Sequence, residues 1–261
     1  MCFLQSVNPR GKVHNTKRKG ILAPRLSPVR VGRPDDIMNI VVLCDFDGTI
    51  TTIDTAEFIL ARFAQGNWRL FERQFENGKI TLEECLTRQF SLVRASRKQV
   101  LEELKRVVTF RPNFKKLAEC CKENHTPLII VSAGLDFVIQ HFLKLNHCQD
   151  LVEVYAAKTA FSANGIRFTF PILLYKSSNN FKDDIVKQFK SQGRKVVYIG
   201  DGSADYNAAK DADCSFAIEG SKLAELCKSH GIPCKNITDF QKVIEAIRKI
   251  LPHGKRSPSI N

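Results

Sequence analysis

Two aspartates, Asp45 and Asp47, stand two positions apart at the end of an apolar run in "NIVVLCDFDGTITTIDTAEF", residues 39–58. Residues i and i+2 of an extended strand face the same side, and two carboxylates held side by side repel unless something positive sits between them. The "DGT" that follows reads as a tight turn leaving a strand. The stretch therefore asks for a cation, with an anionic ligand beside it. Other polar groups fall at comparable points: Ser132 ends the run "TPLIIVS", Asp201 follows "KVVYIG", and a lysine opens a helix between them. Mg²⁺ prefers oxygen ligands and binds through one or two carboxylates together with phosphate and water. A hydroxyl, an ammonium and backbone N–H groups suit the phosphate oxygens.

The elements that must bring these groups together follow from hydrophobic periodicity. A first strand over about 39–45 is followed by a long helical region, in which "TAEFILARFAQGNWRLFERQFENGK" and "ITLEECLTRQFSLV" carry helical spacing and Thr81 with Glu84 forms a capping-box-like start. The second strand ends at Ser132, and an amphipathic helix over "LDFVIQHFLKLN" follows. "EVYAAKTAFSANGIRFTFP" alternates around Asn164-Gly165, a hairpin signal. The remainder alternates strand and helix. This pattern predicts an α/β fold, a Rossmann-like parallel sheet flanked by helices, in which ligands bind beyond the carboxyl ends of the strands. About 80 residues separate the first two strands where a crossover needs about a dozen, so an inserted all-helical cap is expected as well as a small β-hairpin. The expected division is a basic tail over 1–37, a core over 38–53 and 110–251, a helical cap over 54–109, and a frayed end over 252–261.

Of 261 residues, 43% are hydrophobic and 26% charged, as in an ordinary globular protein, and no apolar run approaches the roughly 20 residues of a membrane helix. The nine cysteines form no zinc-type pair and there is no signal peptide, which favours a reducing cytoplasm. Residues 1–37 hold eight basic residues against two acidic ones, six of the thirteen net positive charges. The others are scattered along helix faces, so a nucleic-acid partner is not expected. The tail itself reads as a disordered arm, an organelle-targeting segment or an upstream extension of a chain beginning at Met38.

"DFDGTI", "IIVSAG", a lysine and "IGDGSAD", in that order after predicted strands, resemble the haloacid-dehalogenase-like phosphatases over residues 39–218. The resemblance implies a Mg²⁺-dependent phosphomonoesterase acting on a small phosphorylated metabolite. Asp45 would be the nucleophile that forms an aspartyl-phosphate, and Asp47 the group that protonates the leaving oxygen and then deprotonates water. Gly48, Thr49, Ser132 and Ala133 would lie around the phosphate. Asp45, Asp201 and the backbone carbonyl of Asp47 would bind Mg²⁺, with Asp205 supporting them from behind. The family's lysine is assigned to Lys182 rather than Lys176 or Lys158, because a lysine buried among carboxylates and phosphate has a reason to be there.

A cap directly after the first motif resembles the phosphoserine-phosphatase branch. Within it, "CDFDGTIT", Asp54, Arg88 and "SAGLDF" resemble the methionine-salvage phosphatases acting on 2-hydroxy-3-keto-5-methylthiopentenyl-1-phosphate, although "LYKSSNNFK" replaces their cysteine-rich segment. The expected pocket residues are Asp54, Arg88 and Phe90; Trp68 and Tyr206 are read as packing residues. Phosphotransfer to an alcohol is the alternative enzymatic outcome.

Overall fold

Alternation along each central strand sorts the apolar residues onto two faces, and two helical layers cover them. In the computed structural model residues 39–250 are described; the readings made of the tail, Met38 and the C-terminal end lie outside these residues. The strands are β1 (Ile40–Cys44), β2 (Leu128–Ser132), β3 (Glu153–Ala156), β4 (Lys158–Ser162), β5 (Gly165–Thr169), β6 (Lys195–Gly200), β7 (Cys214–Ile218) and β8 (Cys234–Ile237). Six of them form one parallel sheet in the order β3-β2-β1-β6-β7-β8, while β4 and β5 form an antiparallel hairpin. This is the expected α/β fold.

The helices are α1 (Thr55–Phe63), α2 (Arg69–Glu76), α3 (Leu82–Phe90), α4 (Arg97–Leu104), α5 (Phe114–Glu123), α6 (Asp136–Leu145), α7 (Phe181–Ser191), α8 (Tyr206–Asp211), α9 (Lys222–Ser229) and α10 (Gln241–Ile250). Val41 and Leu43 point to the face covered by α7, α8 and α9; Val42 and Cys44 point to the face covered by α5, α6 and α10. Both faces of β1 are thus dry, which is why its five residues are all apolar.

Helices α1–α4 all lie between β1 and β2. The chain enters and leaves this insertion side by side: Thr51 bridges Phe110, and the Thr52 N–H donates to Thr109 O at 3.0 Å. Within it the long helical stretch breaks after Phe63, where Gly66 takes φ +126, a conformation a helix cannot contain. Two further details depart from the sequence expectation. β8 joins the sheet at an edge where no strand was expected, and "EVYA" pairs in parallel with β2 rather than extending the hairpin. Alternation is the same in both settings, so the pattern cannot name the partner.

Candidate active site

β1 lies between β2 and β6, so the carboxyl ends of three adjacent strands deliver Asp45, Ser132 and Asp201 to one edge. The Asp45 N–H donates to Ile199 O at 2.9 Å, which ties the exit of β1 to β6. The turn after β1 is held internally by Thr51 and externally by Arg111, whose guanidinium donates to Gly48 O at 2.7 Å and Thr49 O at 2.9 Å. Gly48 takes φ +70, and a Cβ there would overlap the Asp201 carboxylate. The absent side chain makes room for that approach. Thr49 Oγ1 donates to Asp201 Oδ1 at 2.7 Å.

Lys182 stands in the first turn of α7, whose start is fixed by an Asn180–Asp183 capping box. Its side chain is only 3% exposed, with Nζ 2.9 Å from Asp45 Oδ2 and 2.7 Å from Asp205 Oδ1. Lys176 is exposed and Lys158 pairs with Asp136 at 3.7 Å, so Lys182 alone of the three lysines meets the aspartates. Asp205 is saturated. Lys182 and the Tyr198 hydroxyl donate to Oδ1, and the N–H groups of Asp201 and Gly202 donate to Oδ2.

Asp47 is pinned from the insertion side, where Thr55 offers both its N–H, at 3.1 Å, and its hydroxyl to Oδ1. Oδ2 faces Ser132 Oγ at 3.5 Å and Gly134, where a Cβ would overlap it. Burial first, and then Asp54, push the Asp47 carboxyl up to about 7 against the Thr55 hydrogen bonds. Burial and then Asp205 push Asp201 up to about 7 as well. Burial also raises Asp45, Lys182 lowers it, and Asp205, Asp201 and Asp47 raise it further. Burial opposes the charge on Lys182, but Asp205 and Asp45 outweigh it and hold the ammonium above its ordinary value.

Carboxylate atoms of Asp45, Asp201 and Asp205 lie within 4.8 Å of one another. Asp205 has already accepted four donors, whereas the buried Oδ1 of Asp45 has no hydrogen-bond partner among the described residues. Buried carboxylates that raise each other's pKa, one with an orphaned oxygen, are the donor set a hard divalent cation fits.

These groups open into a cavity of about 280 Å³. Asp45, Asp47, Ser132, Ala133, Lys182 and Asp201 line its sheet side; Asp54, Trp68, Glu72, Phe75, Glu76 and Gln89 are among those lining its helical side. Arg88 and Phe90 do not line it. Arg88 pairs with Glu84 on the exposed face of α3, and Phe90 is fully buried against Phe168 of the hairpin. Their neighbour Gln89 takes the inward position, one residue away and about 100° around the helix. Trp68 is buried, as expected of a packing residue, and still presents itself to the cavity. Tyr206 lies outside, its ring 5.2 Å from that of His230. The sequence reading missed Thr55, Arg111, Gly134 and Tyr198.

The model of the family described as haloacid dehalogenase-like hydrolase matches residues 42–210, which include every strand end of this site. The chain belongs to that family. Curated relatives include a 2-hydroxy-3-keto-5-methylthiopentenyl-1-phosphate phosphatase of Exiguobacterium sibiricum, 30% identical over 81% of this chain and 97% of the relative. One of the same name from Brevibacillus brevis is 29% identical over 81% and 96%. A substrate-bound phosphoserine phosphatase structure covers 79% of this chain and 97% of its own with a TM-score of 0.59; at 19% identity it speaks for the fold. As a haloacid dehalogenase-like hydrolase this protein is an enzyme, a phosphatase of the phosphoric monoester class. No helix of the described residues is long and apolar enough to cross a membrane.

Proposed function

We propose that the enzyme hydrolyses the phosphomonoester of a small metabolite through an aspartyl-phosphate on Asp45. One observation carries this reading: Asp45 lines the cavity with Oδ2 held by Lys182, while its buried Oδ1 has no partner among the described residues. In the first step Asp45 attacks phosphorus, the bond from phosphorus to the ester oxygen breaks, and Asp47 gives its proton to the leaving oxygen. Its pKa of about 7 lets it carry that proton near neutrality. In the second step water attacks the phosphorus, Asp47 takes the water proton, and the bond to Asp45 breaks to release inorganic phosphate. Ser132, the Ala133 backbone, Thr49 and Lys182 would hold phosphate oxygens.

Asp45, Asp201 and the Asp47 carbonyl would hold Mg²⁺, with Asp205 fixing Lys182 and the Asp201 backbone behind them. The ion would supply positive charge against which an anionic nucleophile approaches an anionic phosphate. We assign residues 38–53 and 110–251 to the core and 54–109 to a cap that shuts out water; the paired entry and exit at Thr51 and Phe110 support a hinge there. All eight cysteines of the described residues are free thiols, in keeping with a cytoplasmic enzyme.

The relatives' names make the methionine-salvage enol-phosphate the first compound to test, and the apolar wall of Trp68, Phe75, Leu82 and Leu86 would receive a methylthio group. Phosphoserine is the weaker reading, since no arginine among the described residues lines the cavity to clamp its carboxylate. The test is phosphate release from p-nitrophenyl phosphate, the enol-phosphate and phosphoserine, with and without Mg²⁺. Release that needs metal and disappears in Asp45→Asn is expected. Release that survives Asp45→Asn would overturn the nucleophile assignment, and accumulation of a phosphorylated acceptor on adding alcohols would indicate phosphotransfer.

A further inference from the structure

We propose that Asn180 is a positioning residue for the phosphatase reaction: it holds the start of α7, and with it Lys182, at a fixed distance from the loop that carries Asp201 and Asp205. This rests on the reading above, because it takes Lys182 to hold phosphate oxygens. Asn180 belongs to the stretch 174–182 that replaces the cysteine-rich segment of the methionine-salvage phosphatases. It is 4% exposed and does not line the cavity. Its side chain is used at both ends: Oδ1 accepts the Lys182 N–H at 2.8 Å, and Nδ2 donates to Ala204 O at 3.0 Å. The partners fix which end is which, since a backbone N–H only donates and a carbonyl only accepts. Capping a helix needs no more than an acceptor, which serine, threonine or aspartate would supply. A serine or threonine would have to serve both partners from a single oxygen, and an ionised aspartate has no donor. Asparagine caps α7 and also reaches out of it, to the turn Ser203–Asp205.

Among the described residues two hydrogen bonds join the start of α7 to residues 201–205: this one, and that of Lys182 Nζ to Asp205 Oδ1 at 2.7 Å. They differ in kind. The ammonium also serves Asp45 at 2.9 Å, and a phosphate placed against Asp45 draws on the same three N–H donors. The tie through Lys182 must therefore be shared out again as substrate arrives and phosphate leaves. The tie through Asn180 joins two neutral groups outside the cavity, so it keeps its geometry through those changes. Each end of it is firmly anchored. The Asn180 N–H donates to Asp183 Oδ1 at 2.9 Å and its carbonyl accepts the Asp184 N–H at 3.2 Å, so Asn180 moves with α7. The N–H groups of Asp201 and Gly202 both donate to Asp205 Oδ2, so the loop around Ala204 moves as a unit. Fixing Ala204 against Asn180 thus sets the distance from Lys182 to Asp201 and Asp205 together. A misplacement of about 1 Å can cost a reaction on the order of a hundredfold.

The experiment compares the wild type with Asn180→Ser, which keeps a capping acceptor and gives up the reach to Ala204. Asn179→Ser is the control, an exposed neighbour whose side chain makes no hydrogen bond among the described residues. Binding of inorganic phosphate in the presence of Mg²⁺ is read by calorimetry, and release from p-nitrophenyl phosphate is read separately. Asn180→Ser is expected to weaken phosphate binding about fivefold, the factor of one ordinary hydrogen bond, and to lower kcat/KM at least as much. Asn179→Ser is expected to match the wild type. A dissociation constant does not depend on the fraction of protein that is folded, so a loss of stability alone leaves it unchanged. Wild-type affinity in Asn180→Ser, an equal fall in Asn179→Ser, or no measurable phosphate binding by the wild type would each overturn the inference. A wild type that binds phosphate but releases none from the ester would defeat the hydrolase reading instead, and the ratio of affinities would still judge Asn180.

Discussion

At the scale of single residues, the site depends on a few side chains whose partners are other site residues. Lys182 is the clearest. Its ammonium is the shared partner of two buried carboxylates, so Lys182→Met leaves Asp45 and Asp205 facing each other with no counter-charge. Breaking a buried charge network by removing one partner costs about 3–5 kcal/mol. Denaturant unfolding of Lys182→Met is expected to show a loss in that range together with loss of phosphate release; a loss below about 1 kcal/mol would mean the carboxylates are not anionic in the folded protein. Thr55 tests the other aspartate. Thr55→Val keeps the backbone donor to Asp47 Oδ1 but removes the hydroxyl, so the carboxyl loses orientation while the cavity keeps its shape. The expectation is a roughly tenfold fall in kcat with KM within about twofold, read from steady-state kinetics. A change confined to KM would assign Thr55 to substrate binding instead.

At the scale of elements, the hairpin and α3 form one unit. Phe168 of β5 meets Phe90 edge-on with centroids 5.2 Å apart, and the glycine that opens β5, Gly165, sits under the last carbonyls of α3. A Cβ there would lie 2.5 Å from Phe90 O, at a backbone φ of +93 that side chains disfavour. Gly165→Ala is therefore expected to cost about 1–3 kcal/mol by thermal or denaturant unfolding. It should also raise KM more than it lowers kcat, because α3 carries Gln89, Leu86 and Cys85 into the cavity and carries none of the reacting groups. Unchanged KM would separate the hairpin from substrate binding. The same helix shows where the sequence stopped being legible. The aspartates, Ser132 and Lys182 could be found in advance because each ends a strand or opens a helix, and a parallel sheet brings such ends to one edge. The phase of α3 could not, since Leu82, Cys85, Leu86 and Phe90 are all buried and the apolar stripe is too wide to tell cavity from core. Gln89 rather than Arg88 faces inward for that reason. Thr55, Arg111 and Gly134 act through turn geometry that no periodicity encodes.

At the scale of the whole molecule, the fold places several carboxylates that disfavour one another at the centre of its sheet edge. Asp45, Asp47 and Asp201 are all raised above the ordinary carboxylate range, first by burial and also by neighbouring aspartates. Without a cation this arrangement lowers stability; a bound cation should return it. A ligand that binds only the folded state stabilises by about 2.7 kcal/mol at a hundred times its Kd. For a chain of this size that corresponds to a rise of about 5–10 °C in the unfolding midpoint. Mg²⁺ titrated into the wild-type enzyme is expected to produce such a rise. Asp201→Asn should behave oppositely on both counts. Removing one of the mutually repelling charges should raise the midpoint in chelator, and the missing ligand should abolish most of the Mg²⁺-dependent increase. The two signs together separate a metal ligand from a structural carboxylate. If Asp201 served only to accept the Thr49 hydroxyl, which reaches it at 2.7 Å, the variant would lose stability in chelator and keep its response to Mg²⁺.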